Sequence, residues 1–322
     1  MSPKKKAPKK VYINSFNVLV EVYREDVDYK AEREFRGKGR AEATASAALG
    51  IVGVDTGMLQ SKTDQLFNEL LEDLKSNGFE IVGIEEAKRT KYFKNAVPFN
   101  GPLVRESANP GLLEVVPSNF KGFTTEKNAE GKESKKSGMF PGMKGLGKLT
   151  KNTNMLSDQL DDAIVIDVNL ALTWSKTGSS WLKEMGGANA KIETNLALGE
   201  KTVSAPKNKN SKGKEDYYII PNDFTVAQGS GLKKVTWKGY LKKPIGIQGV
   251  MENEKIEVYN KGQVAKTYDV GNMFRVTEWT STISENAKFV EVDGNKFADA
   301  LYISADSFLK DQLNYFYDQY SK

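Results

Sequence analysis

Residues 61–86 read SKTDQLFNELLEDLKSNGFEIVGIEE, and their order decides the fold class. Leu66, Phe67, Leu70, Leu71 and Leu74 recur at helical spacing, which makes one side of a helix apolar. Ser61 stands where an N-cap belongs, with Asp64 at the capping-box distance. Gly78 stands at the left-handed C-terminal cap, a conformation glycine adopts without a Cβ penalty. Phe79–Ile84 follows at once as a short buried strand. Upstream, Val11–Tyr23 sets Ile13, Val18, Val20 and Val22 among polar residues, a strand with a bulge expected near Asn17. Strand, helix and strand in that order make residues 11–97 an N-terminal α/β unit. Between them, residues 24–40 are strongly charged and residues 41–59 are small and punctuated by glycine, a flexible or closely packed segment.

Downstream, Pro98, Pro102, Pro110, Pro117 and Pro141 and a lysine-rich stretch break the pattern, so residues 98–160 read as a long loop or insertion. Ile164–Trp174 then alternates cleanly, with Ile166, Val168, Leu170, Leu172 and Trp174 on one face and Asp167, Asn169, Ala171 and Thr173 on the other. Ile192, Thr194, Leu196 and Leu198 answer it, which predicts a long-looped hairpin over 164–198. Short β-prone runs follow at 217–220, 234–241, 255–259, 264–270, 274–283 and 288–292. The chain closes on an amphipathic helix from Asn295 to about Tyr320, with Phe297, Leu301, Ala305, Phe308, Leu309, Leu313, Phe316 and Tyr320 in one stripe. Residues 161–322 are thus a β-rich region with a C-terminal helix, one domain with 11–97. The class is α+β, with a mixed or antiparallel sheet and long-looped hairpins.

The chain has 322 residues, no cysteine and no histidine. Thiolate nucleophiles, imidazole bases and Cys/His zinc sites are absent with them. Carboxylate, lysine or serine chemistry and oxygen-ligated Mg or Ca remain open. Five of the first ten residues are lysines, and removing them from the formal charge of +5 leaves 5 − 5 = 0 for the rest. Residues 1–10 read as a disordered basic tail. Only seven of the 47 basic residues are arginine, the residue that forks onto bases and phosphates, so nucleic acid is not an expected partner. Gly142–Lys148 matches a phosphate-cradling loop as far as its lysine, but Leu149 occupies the position that must be Ser or Thr to reach Mg, and no strand precedes it. The adjacent acids Glu72–Asp73, Glu85–Glu86 and Asp161–Asp162 point apart and read as solvated surface. Asp26 and Asp28 share a face, without the glycine-centred loop of a calcium site. No catalytic, cofactor or metal-binding residue is assigned, and no cofactor is expected.

The aromatics point to contact rather than chemistry. Trp174 and Trp181 bracket the hairpin loop, Trp237 and Tyr240 lie in a β-run, and Tyr302, Tyr315, Tyr317 and Tyr320 decorate the last helix. Met139, Phe140 and Met143 sit in a lysine-bearing segment as an adaptable apolar surface. Candidate interaction residues are Trp174, Trp181, Met139, Phe140, Met143, Tyr315 and Tyr317.

The opening strand, the helix Asp64–Asn77 running into Phe79–Ile84, the alternating pair at 164–174 and 192–198, and the last helix together resemble the CsgG-like family, the curli-secretion channel proteins and their periplasmic relatives. The resemblance is one of architecture over most of the chain. At residue level, Leu66–Glu86 is similar to the family's passage from a leucine-rich helix through a glycine to an aromatic-hydrophobic strand and acidic residues. It implies a periplasmic α/β module that oligomerises as a ring, in some members with β-hairpins in the outer membrane. The chain departs from it in lacking the lipoprotein cysteine and in having one good alternating pair, short for bilayer strands of about ten residues. The expectation is a non-catalytic, envelope-associated assembly or secretion component, periplasmic or exported, with its export signal outside this sequence. It would act by homo-oligomerisation or protein binding. Two alternatives stand beside it: a pore-forming protein inserting the 164–198 hairpin, and a carboxylate- or Mg-dependent enzyme.

Overall fold

A computed structural model of the chain describes residues 8–30, 33–35, 38–40, 43–106, 111–124, 152–177, 188–199, 201–209, 215–229, 231, 234–260 and 287–320. In chain order, β1 (Lys10–Glu21) leads through β2 (Tyr23–Lys30), β3 (Arg33–Phe35), β4 (Lys38–Arg40) and β5 (Ala43–Val52) to helix α1 (Thr56–Ser76). Strand β6 (Glu80–Ile81), helix α2 (Ile84–Lys88) and a 3₁₀ turn at Lys91–Phe93 follow. Next come β7 (Val97–Asn100), β8 (Leu103–Glu106), β9 (Leu112–Val116), β10 (Lys121–Thr124) and helix α3 (Thr153–Gln159). The long pair β11 (Ile164–Thr177) and β12 (Ala188–Leu198) precedes β13 (Lys201–Lys209), β14 (Glu215–Pro221), β15 (Asp223–Gln228) and β16 (Val235–Tyr240). Strands β17 (Ile245–Gly246), β18 (Lys255–Asn260) and β19 (Lys288–Glu291) lead into helix α4 (Gly294–Tyr320).

The fold is α+β. A ten-stranded mixed sheet runs β16-β15-β11-β1-β9-β8, with β12 also on β11, β17 and β18 on β12, and β6 on β1. Strand β1 is parallel to β11 and antiparallel to β9, so it sits in the middle of the sheet and both its faces are buried. On the front face, Val11, Ile13, Phe16, Val18 and Val20 of β1 join Ile164, Ile166, Val168, Leu170, Leu172 and Trp174 of β11 under α1 and α4. These helices lie side by side in the same direction. Lys62 pairs with Asp299 at 2.7 Å near their starts, and Tyr317 donates to Asp73 at 3.0 Å near their ends. A second sheet, β19-β5-β2, packs on β12 and β18. The alanines of β5 and β12, Ala45, Ala47, Ala188 and Ala190, are all in the shared core, where small side chains let the layers approach closely.

Several boundaries differ from the sequence reading. Helix α1 is capped by Asp55 rather than Ser61, and starts more than a turn earlier than expected: Asp55 Oδ1 accepts from the Met58 amide at 3.0 Å. Asp64 instead receives the Ser118 amide and hydroxyl, both at 2.6 Å, and ties α1 to the end of β9. At the other end Gly78 has φ +81°, and the Gly78 and Phe79 amides reach the Lys75 and Leu74 carbonyls, the two bonds of a Schellman cap. Only Glu80–Ile81 of the strand expected at 79–84 pairs, because Gly83 starts the short helix α2. The small-residue segment forms β5. Of the region expected as a loop at 98–160, residues 97–124 contain β7 to β10 and 153–159 form α3, while 125–151 lie outside the described residues. Lys9 and Lys10, expected in the tail, belong to the fold: Lys10 opens β1, and Lys9 donates to the Asn77 carbonyl at 3.2 Å.

Candidate functional site

Strand β16 ends the large sheet and pairs, among the described residues, with β15 alone. Its front is held by α4. Gly239 lies under the end of the Gln312 side chain, and Trp237 stacks on Tyr315 with ring centres 5.0 Å apart and planes at 27°. Trp237 also leans on the buried Phe224 at 5.9 Å. Tyr315 is 43 % exposed and Tyr240, at the end of β16, is 58 % exposed. The β-region and the last helix thus place their aromatics at one solvent-facing edge, and its backbone donors and acceptors are of the kind that take up another strand.

Behind this edge the sheet is polar. The bulge in β1 falls at Asn14, three residues before the expected place, so Asn14 and Ser15 both oppose Asp167 on β11. The Asn14 amide and the Ser15 hydroxyl each donate to Asp167 Oδ1 at 2.7 Å. One step along, Asn17 donates to Asn169 at 3.3 Å and Asn169 donates to Asp223 Oδ1 at 2.9 Å. Lys238 on β16 closes that row on Asp223 Oδ2 at 2.6 Å. No protein-family model, no curated protein and no solved structure matches the chain.

Burial pushes the Asp167 carboxyl up to about 7; the Ser15 and Asn14 hydrogen bonds pull it down, Asp223 pushes it further up, and Lys238 pulls it down. Tyr12, two residues before the bulge, has its hydroxyl buried without a partner, and Tyr92 lies close by. Both phenols are held well above their ordinary range, first by burial and then by the charge of Asp167. A second buried polar group braces the sheet where β11 is irregular. Glu21 accepts from the Trp174 and Ser175 amides at 2.9 and 3.0 Å and from Arg24 at 2.8 Å, satisfying backbone donors that the irregularity frees.

Of the candidate interaction residues, Tyr315 is at the edge. Trp174 is a correction: it is fully buried in the front-face core, closed to any partner, because it falls on the apolar side of a strand covered by helices. Tyr317 is half-buried, stacked on Phe79 and bonded to Asp73, so its hydroxyl serves the α1–α4 contact. Trp181, Met139, Phe140 and Met143 lie outside the described residues. Among the described residues no group of three or more acids assembles as a metal site. The residues missed in sequence are Asn14, Ser15, Asn17, Asp167, Asn169, Asp223 and Lys238. For the five on β1 and β11 the one signal is a polar position within a strand otherwise rich in Val, Ile and Leu; Asp223 on β15 and Lys238 on β16 carry no such signal.

Proposed function

We propose that the chain acts by binding, as an envelope-associated assembly or secretion component, and that copies join along the β16 edge. The observation that carries this reading is the edge strand, unpaired on one side among the described residues and flanked by the exposed Tyr240 and the Trp237–Tyr315 stack. The occupant is a second copy. Among the described residues the main path of the sheet ends on β16 at one side and on β8 at the other, with β17 and β18 branching off through β12 and β6 off β1, so one chain supplies unlike edges. A β16-to-β8 contact is head-to-tail and generates rings when its rotation closes. The envelope setting rests on the architectural resemblance to the CsgG-like family. Membrane insertion of the 164–198 hairpin is the less supported alternative, since Leu170, Leu172, Trp174, Leu196 and Leu198 already lie in the domain core. Failure to release dye from liposomes would remove it.

Sedimentation velocity over about two decades of concentration tests the assembly reading, with growth in mass expected for the wild type. Tyr240→Lys with Tyr315→Lys is expected to weaken association by roughly thirty-fold, the loss of a typical aromatic hot spot. A strict monomer at the highest concentration sinks the proposal.

A further inference from the structure

Lys238 stands between two carboxylates. In register it is opposite Thr225, which is opposite Asp167, so Asp167, Thr225 and Lys238 form one row across β11, β15 and β16. Its ion pair, however, is made diagonally with Asp223, one row away. Asp167 and Asp223 are 3 % and 2 % exposed, and a buried charge persists only when it is paired. Two ionised carboxylates against one ammonium leave this face one negative charge in excess. With a proton on Asp167 the row balances. The groups that face Asp167 are Tyr12 from β1, Tyr92 from the 3₁₀ turn, Asp223 from β15 and Lys238 from β16. The two tyrosines are held neutral, so Lys238 is the cation among them.

We propose that Asp167 is the proton-holding group of a device that couples pH to the β16 edge. When neutral it leaves Lys238 to Asp223 and keeps β16 fastened to β15; when ionised it competes for Lys238 and loosens the edge. The geometry supplies the parts. The bulge at Asn14 directs two donors at Oδ1 and leaves Oδ2 for the proton, and the Tyr12 hydroxyl is buried without a hydrogen-bond partner. The ionisation of a carboxyl held near neutrality falls within the physiological range. That partner uptake weakens as pH rises rests on the reading of β16 as the contact edge; the loosening itself does not.

Hydrogen exchange of the full chain, dilute enough to be monomeric, tests this at about pH 5.5 and about pH 8.5 after correction for the intrinsic rate. The β16 amides of the wild type are expected to lose about ten-fold in protection at the higher pH, the equivalent of one pKa unit of coupling. In Asp167→Asn, which cannot ionise, protection at the two pH values should agree. An equal pH response in both proteins overturns the proposal. Should Asp167→Asn fail to fold, infrared titration of the wild type decides. A buried carboxylic-acid band must vanish near neutrality and move to higher pH in Lys238→Met, and the absence of such a band is equally fatal. Sedimentation reads the assembly proposal separately, so either can fail alone.

Discussion

Asp167 owes its environment to one extra residue in the neighbouring strand. Without the bulge at Asn14, a single side chain would oppose it; with the bulge, two donors converge on Oδ1 of the buried carboxyl. The carboxyl is raised from 3.8 to about 7 in the fold and returns to the ordinary range on unfolding. The folded state therefore binds this proton more tightly. The stability it contributes is complete below the unfolded value and is lost as pH rises through about 7. Thermal unfolding should show Asp167→Asn more stable than the wild type at pH 8, by up to ~4 kcal/mol, with the gap closing toward pH 4. Parallel profiles would contradict this. Ser15→Ala removes a donor to the ionised form, so the titration midpoint should move up, with a cost of about 1–3 kcal/mol at pH 8 that shrinks in acid. Asp167 was visible in the sequence as a polar position on an alternating strand. Its partners were not, because no local signal set the bulge at Asn14 rather than Asn17, and the pairing joins residues 152 apart.

Helix boundaries show how element-scale reading succeeds and fails. The Schellman end of α1 was legible because a glycine there has one structural meaning. The start was not, since Gly57 in the first turn looks like loop and Ser61 with Asp64 offers a plausible cap in the wrong place. Asp55→Ala is expected to lower the urea midpoint by about 1 kcal/mol, the usual value of an N-cap, whereas Ser61→Ala should change little because Ser61 is exposed within the helix. The reverse ranking would restore the sequence reading. Strand β5 was hidden because alanine and glycine have low strand propensity, and its packing against small residues overrides that preference. The prolines at 98, 102 and 117 hid β7 to β10 for a related reason: proline reads as a breaker, yet here it sits in or beside short strands, β7 and β8 being unpaired on one side among the described residues.

At the scale of the whole molecule, the sequence carried the layer type but not the neighbours. The two covering helices were legible from their stripes: every expected stripe residue of α4 is buried except Tyr320, and the small Ala298, Ala300 and Ser304 are buried beside them. That β1 lies beside β11, some 150 residues on, was not, because a strand buried on both faces carries no mark of its partners. The same limit hid the second layer, in which β5 lies over β12. Its closeness depends on Ala45 and Ala47 meeting a strand that offers Ala188 and Ala190, all at 1 % exposure or less. Ala47→Leu adds three carbons where interiors have no spare volume, and the layers must part or the side chain must leave its rotamer. A loss of about 1–3 kcal/mol in urea unfolding is expected. Ile303→Ala, at a position 67 % exposed on α4, serves as the control and should stay within about 0.5 kcal/mol of the wild type. If Ala47→Leu unfolds with the control, β5 does not pack as a close second layer, and the small residues of 43–52 need another explanation.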